Sequence, residues 1–158
     1  MNNERILINK LKSFENINSN LLNLLLALFG TLLLTISAKV QVPFWPVPMT
    51  MQTFVIFLIG MTYGVRLSFA TVTLYLLEGA AGLPVFASGG GITYLTGPTA
   101  GYLYGMLLAS VAISYLANLG FSKTYFKAAF SLVIGSIIIF SIGIIYLGSI
   151  IGYEKAIA

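Results

Sequence analysis

From Leu21 to Gly152 the chain is a succession of long apolar runs with almost no charge inside them. Glu78 is the only acid between Glu15 and Glu154. That pattern is the tightest constraint on the fold, because a bilayer core calls for helices of about 20 predominantly apolar residues. Composition agrees: 58% of the 158 residues are hydrophobic, 8% are charged, and the mean hydropathy is +0.97. A soluble domain carries about 25% charged residues. The expectation is an all-α integral membrane protein lying in the lipid bilayer, with no room for a separate soluble domain.

The runs place five spans, at 21–38, 51–65, 67–80, 100–119 and 128–152. Residues 1–20 read as a short cytoplasmic tail rather than a cleavable signal peptide. In that tail Ile6, Leu7, Ile8, Leu11 and Phe14 have the spacing of a short surface helix. Residues 21–158 form the transmembrane domain. The first span carries Ala27, Gly30, Thr31 and Thr35 on one helical face, and the fourth carries Gly101, Gly105 and Ala109. Small residues let a second helix approach closely. The first face fits either an internal contact or a separate membrane partner; the second fits internal packing. With the N-terminus inside, the inner segments hold Arg5, Lys10, Lys12, Arg66, Lys123 and Lys127, and the outer ones hold Lys39 and Lys155. Six against two is the bias that the positive-inside rule describes.

In this orientation both unusual connectors fall on the outer face. The first, QVPFWPVPMTMQT at Gln41–Thr53, holds Pro43, Pro46, Pro48 and the only tryptophan. Proline removes a backbone donor and pushes its predecessor toward an extended conformation, so no helix runs through this spacing. It is also apolar, and reads as a lid or pocket wall or, alternatively, as an anchor at headgroup depth. The second, Gly79–Thr99, holds Gly79, Gly82, Gly89, Gly90, Gly91 and Gly97. Irregular backbone at membrane depth is tolerated where protein buries it or where it lines a wet cavity. The two connectors are expected to meet and enclose a pocket.

The chemistry open to such a pocket is limited. There is no Cys, no His and no Asp, so thiolates, the commonest metal ligands and the usual general bases are missing. No phosphate-binding loop G-x-x-x-x-G-K-[ST] occurs. The charge of +4 is too small and scattered to suggest nucleic acid. Glu78 reads as a cap on the outer end of the third span or, alternatively, as a group that orients a polar ligand. What remains is a binder: aromatics (Phe44, Trp45, Phe86, Tyr94, Tyr102) and polar groups (Thr50, Gln52, Ser88, Thr96, Thr99) suited to a small, partly apolar solute.

SAKVQVPFWPVPMTMQT, YLLEGAAGLPVFASGGG and GPTAGYLYG, running in order from about Thr35 to about Gly105, resemble the BioY family. These are the biotin-specific substrate-binding (S) components of energy-coupling-factor (ECF) transporters. The resemblance implies a six-helix bundle in the bacterial cytoplasmic (inner) membrane that captures biotin on its outer face. It implies no catalysis and no cofactor in this chain; energy would come from a transmembrane coupling protein and two ATPase subunits. Phe44 and Trp45 would pack on the apolar parts of biotin, and Thr50 and Gln52 would hydrogen-bond its polar ends. Phe86, Ser88, Gly89, Gly90 and Gly91 would form the lid, and Tyr102 would face the pocket. Ala27, Gly30, Thr31 and Thr35 stand where the family carries an Ala-xxx-Ala face for the coupling protein. The family continues into a sixth helix with an acid and a lysine near the pocket. Here Glu154 and Lys155 begin another connection that stops, so the expectation is a fragment or truncated form, or else a chain that has lost that part of the site, with weak or no biotin capture; nanomolar affinity would contradict that expectation. An S component for another vitamin, or a structural membrane protein without a solute, are the alternatives.

Overall fold

In the computed structural model, residues 19–157 are described; the expectations for the tail upstream of Ser19 lie outside them. Helix α1 (Ser19–Lys39) leads into a two-residue strand β1 (Gln41–Val42), which pairs antiparallel with β2 (Met49–Thr50), Gln41 opposite Thr50. Helices α2 (Gln52–Thr62) and α3 (Val65–Ala80) follow, then a one-turn helix α4 (Ile92–Leu95), α5 (Ala100–Asn118), a 3-10 turn (Phe121–Lys123), α6 (Tyr125–Ile151) and α7 (Tyr153–Ile157). Each expected span therefore has its helix.

The helices differ in length more than the apolar runs suggest. Among the described residues, three helices are long and apolar enough to cross a membrane: α1, α5 and α6. At 1.5 Å per residue, α2 reaches only about 16 Å and α3 about 24 Å, against a hydrocarbon core of about 30 Å. The expected spans at 51–65 and 67–80 are thus helices too short to cross by themselves, joined by a tight turn at Gly64, whose φ of 75° favours glycine.

Small residues allow the helices to close on one another. On α5, a Cβ at Gly105 would sit 2.9 Å from the backbone of Ile139, and one at Gly101 would clash with Tyr146. The Gly101–Gly105–Ala109 stripe is internal packing, as its spacing suggests. On α1, Ala27, Gly30 and Thr31 also turn inward. A Cβ at Gly30 would lie 2.5 Å from Thr71 of α3 and 3.3 Å from Tyr63. That face is filled by the chain's own helices, with Thr35 at its half-buried edge; the outward face of α1 is Leu25, Leu28, Phe29, Leu32 and Ile36. The core runs through Leu34, Ile56, Ile59, Val72, Tyr75, Phe86 and Ile139.

Candidate functional site

The two connectors meet at one end of the bundle, and buried and half-buried hydrogen bonds tie them there. Lys39, closing α1, donates from Nζ to the Phe86 carbonyl at 2.6 Å. Gln52, opening α2, donates from Nε2 to the Tyr75 hydroxyl at 2.7 Å. The Tyr75 hydroxyl donates in turn to the Val85 carbonyl at 2.9 Å. Thr50 completes the chain by donating to Gln52 Oε1 at 3.0 Å. Strand β2, α2, α3 and the glycine connector are thereby fixed to one another through two side chains that are 3% and 1% exposed, Gln52 and Tyr75.

The proline connector is a narrow ribbon. Its three prolines lie between β1 and β2, where no ladder hydrogen bond is asked of them, and the Trp45–Pro46 peptide is cis. The glycine connector is a compact coil. Phe86 and Gly89 exchange backbone hydrogen bonds, and Gly91 N–H donates to the Gly79 carbonyl at 2.7 Å. Gly90 packs so closely on the Leu83 carbonyl that a Cβ would clash with it. Phe86 is fully buried, lying edge-on to Tyr75 and stacked on Tyr94 at 4.8 Å between ring centres.

Between the connectors lies a cavity of about 160 Å³. The ribbon supplies Val47 to Thr50, α2 supplies Gln52 and Thr53, and the glycine connector supplies Ala87. Tyr94, Thr99, Tyr102, Leu103 and Met106 form a second wall, and Ile139 and Phe140 of α6 the third. A shallower cleft of about 280 Å³ adjoins it, lined by Pro46, Pro48, Ser88, Thr93, Tyr94, Gly97, Pro98 and Thr99. Pro48, Tyr94 and Thr99 border both, so Tyr94 stands at the partition. An apolar chamber with a few hydroxyls, one amide and two phenols suits a small solute with an apolar body and polar ends. Among the described residues no group of His, Cys, Asp or Glu could hold a metal.

The expected site residues divide three ways. Thr50, Gln52 and Tyr102 line the cavity and Ser88 lines the cleft. Gln52 has both ends of its amide engaged within the protein, so it works as a strut as well as a wall. Phe86, Gly89, Gly90 and Gly91 line neither space: Phe86 is a buried anchor, and the glycines shape the turn, Gly89 and Gly91 at φ of 140° and 105°. Phe44 and Trp45 line neither space as well. They project from the ribbon, Trp45 82% exposed, because the two-residue strands leave the ribbon's tip nothing to pack against. That exposure fits the alternative reading of an anchor at headgroup depth. Sequence reasoning did not single out Met106, Ile139 or Phe140. Met106 was legible one turn beyond Tyr102, whereas Ile139 and Phe140 lie in the middle of a uniformly apolar run that carries no marker.

The fold and the sequence both have counterparts. The crystal structure of the S-component for biotin from an ECF-type ABC transporter superposes with a TM-score of 0.77 at 24% identity, covering 88% of this chain and 78% of that one. A biotin transporter BioY of Thermotoga maritima is 40% identical over 118 residues, 74% of this chain and 69% of the relative. A protein of Rickettsia prowazekii described as a probable biotin transporter BioY is 31% identical over 151 residues, 95% of this chain and 77% of the relative. The BioY family model matches residues 9–158. With nearly the whole chain matched and the two connectors that carry the motif resemblance brought together around a cavity, this chain belongs to the BioY family.

Proposed function

We propose that this chain is a membrane-embedded biotin-capture subunit. The observation that carries the reading is the enclosure of one cavity by the proline ribbon, the glycine connector and α5, with Thr50, Tyr94, Thr99 and Tyr102 on its walls. The relatives' activity as biotin transporters supports biotin as the guest. Val47, Met49, Leu103, Met106, Ile139 and Phe140 give apolar contact for the fused rings and the aliphatic tail. Hydroxyls of Thr50 and Thr99 and the phenols of Tyr94 and Tyr102 are the hydrogen-bonding groups for the ureido and carboxylate ends. Burial strengthens each such bond, because a ligand group left unpaired there loses about 1–3 kcal/mol.

The cavity opens on the outer face of the cytoplasmic membrane, and the N-terminus lies inside. Membership of the BioY family supports inward release driven by a transmembrane coupling protein and two ATPase subunits. The test is equilibrium binding of labelled biotin to the detergent-purified chain, with unlabelled biotin, thiamine and riboflavin as competitors. Displacement by biotin alone, and weakened binding in Tyr102→Ala and Thr50→Val, is the expected result. Equal displacement by another vitamin would move the assignment to that solute. Saturable binding indifferent to both substitutions would remove the cavity from the account.

A further inference from the structure

The opposite end of the bundle holds a second cavity, of about 490 Å³, that the capture of a solute does not use. It lies where the start of α1 (Asn23) and the start of α3 (Val65–Leu67, Ala70) meet the ends of α2 (Tyr63) and α5 (Tyr115, Asn118). Its polar equipment is one guanidinium, two carboxamides and two phenols, with no carboxylate on its walls. The described acids are far off: Glu78 closes the helix that Arg66 opens, and Glu154 follows the end of α6. Asn23 Oδ1 is buried without a partner among the described residues. Gly64 caps α3 with no side-chain hydrogen bond, which leaves the first backbone N–H groups of that helix unsatisfied beside Arg66. Lys123 and Lys127 lie at the same end, after α5 and in the first turn of α6.

We propose that this cavity binds the headgroup of an anionic glycerophospholipid, with the phosphate held by Arg66 and the start of α3. Arg presents a planar fork of donors matched to phosphate oxygens. Asn23 and Asn118 line the same cavity and give it carboxamide groups for the hydroxyls of a headgroup. The location argues for lipid over a free anion. Basic pockets between membrane helices sit at the depth of the headgroups, and Tyr115, which borders this one and is largely exposed, is an aromatic suited to that interface. The inference does not depend on the identity of the transported solute.

The experiment titrates dioleoyl phosphatidylglycerol, dioleoyl phosphatidylcholine and soluble glycerol phosphate into the purified chain in a neutral maltoside micelle. Thermal unfolding and lipid retention in native mass spectrometry are read. Phosphatidylglycerol should stabilise saturably and the other two should not. Arg66→Gln should raise its half-saturation about tenfold, equivalent to about 1.4 kcal/mol, while Lys127→Gln on the surface shifts it less than about twofold. Added salt should weaken the effect, because Arg66 is exposed and its pairing with a phosphate is screened. Equal stabilisation by phosphatidylcholine, an equal effect of glycerol phosphate alone, or an unchanged titration in Arg66→Gln would each overturn the proposal. If Arg66→Gln does not purify as a single species, Asn23→Ala and Asn118→Ala carry the test, and unchanged titrations in both overturn it equally.

Discussion

Tyr75→Phe removes a single oxygen and asks whether Gln52 recognises the ligand or holds the site together. In the native protein the Tyr75 hydroxyl accepts from Gln52 Nε2 at 2.7 Å and donates to the Val85 carbonyl at 2.9 Å. All of these groups are buried, so the substitution orphans an amide donor on α2 and a carbonyl on the glycine connector. Interhelical hydrogen bonds in membranes average only about 0.6 kcal/mol, whereas an unsatisfied buried group costs about 1–3 kcal/mol. Two buried groups left unpaired give an expected loss between about 1 and 4 kcal/mol. Gln52→Met should cost less, because Tyr75 keeps its bond to Val85. The double variant should show coupling above about 0.5 kcal/mol, as contacting residues do. Unfolding in mixed micelles measures the stabilities, and labelled biotin the site. Affinity should fall in both single variants, although Tyr75 does not line the cavity. A Tyr75→Phe protein with wild-type stability and affinity would refute the strut.

Other expectations follow from the same geometry. Trp45→Ala should leave stability within about 0.5 kcal/mol, as surface changes do, and biotin affinity near wild type, since Trp45 borders neither cavity; a large loss of affinity would place the ribbon tip over the ligand. Gly90→Ala should destabilise by about 1–3 kcal/mol and abolish capture, because the atom in its way is the Leu83 backbone carbonyl, which has no rotamer to escape into. Gly30→Ala should lower stability within the same range through Thr71 and Tyr63, while Phe29→Ala on the outward face should not; thermal unfolding in detergent separates the two. Gly143→Ala should press the Tyr102 ring toward the cavity it lines and weaken biotin binding with the fold retained, and Tyr102→Ala in that background should relieve the crowding.

Helix positions were legible because apolar runs and their breaks are one-dimensional signals. The proline spacing 43, 46, 48 forbids a helix wherever the rest of the chain goes, and the structure has a bent loop there between two short paired strands. Helix length was less legible. Ile56, Ile59 and Gly60 are as apolar as any lipid-facing run, yet they lie in an 11-residue helix buried by its neighbours. Hydropathy does not distinguish a side chain that faces lipid from one that faces another helix.

The site was legible in its connectors and polar walls but not in its apolar ones, and the difference lies in what a pocket demands of each part. A connector that must bend sharply or approach another backbone is limited to Gly and Pro, so Gly90 and Pro48 mark themselves in the sequence. A wall has only to be apolar and correctly placed, and Ile139 and Phe140 meet that demand with residues that any membrane helix uses. The same reasoning explains why Phe44 and Trp45 stand away from the cavity while Tyr94 lies on its wall. Large aromatics beside a break draw the eye, but two-residue strands give a ribbon's tip no surface to fold onto, so they point outward. Tyr94, in a single helical turn between Gly91 and Gly97, is instead pinned by its stack on the buried Phe86 ring. Phe86 in turn is seated against Gly79 and Tyr75. The cavity-lining ring is thus positioned by residues that never touch the cavity, and the hydrogen-bonded strut from Gln52 holds the same assembly from the other side.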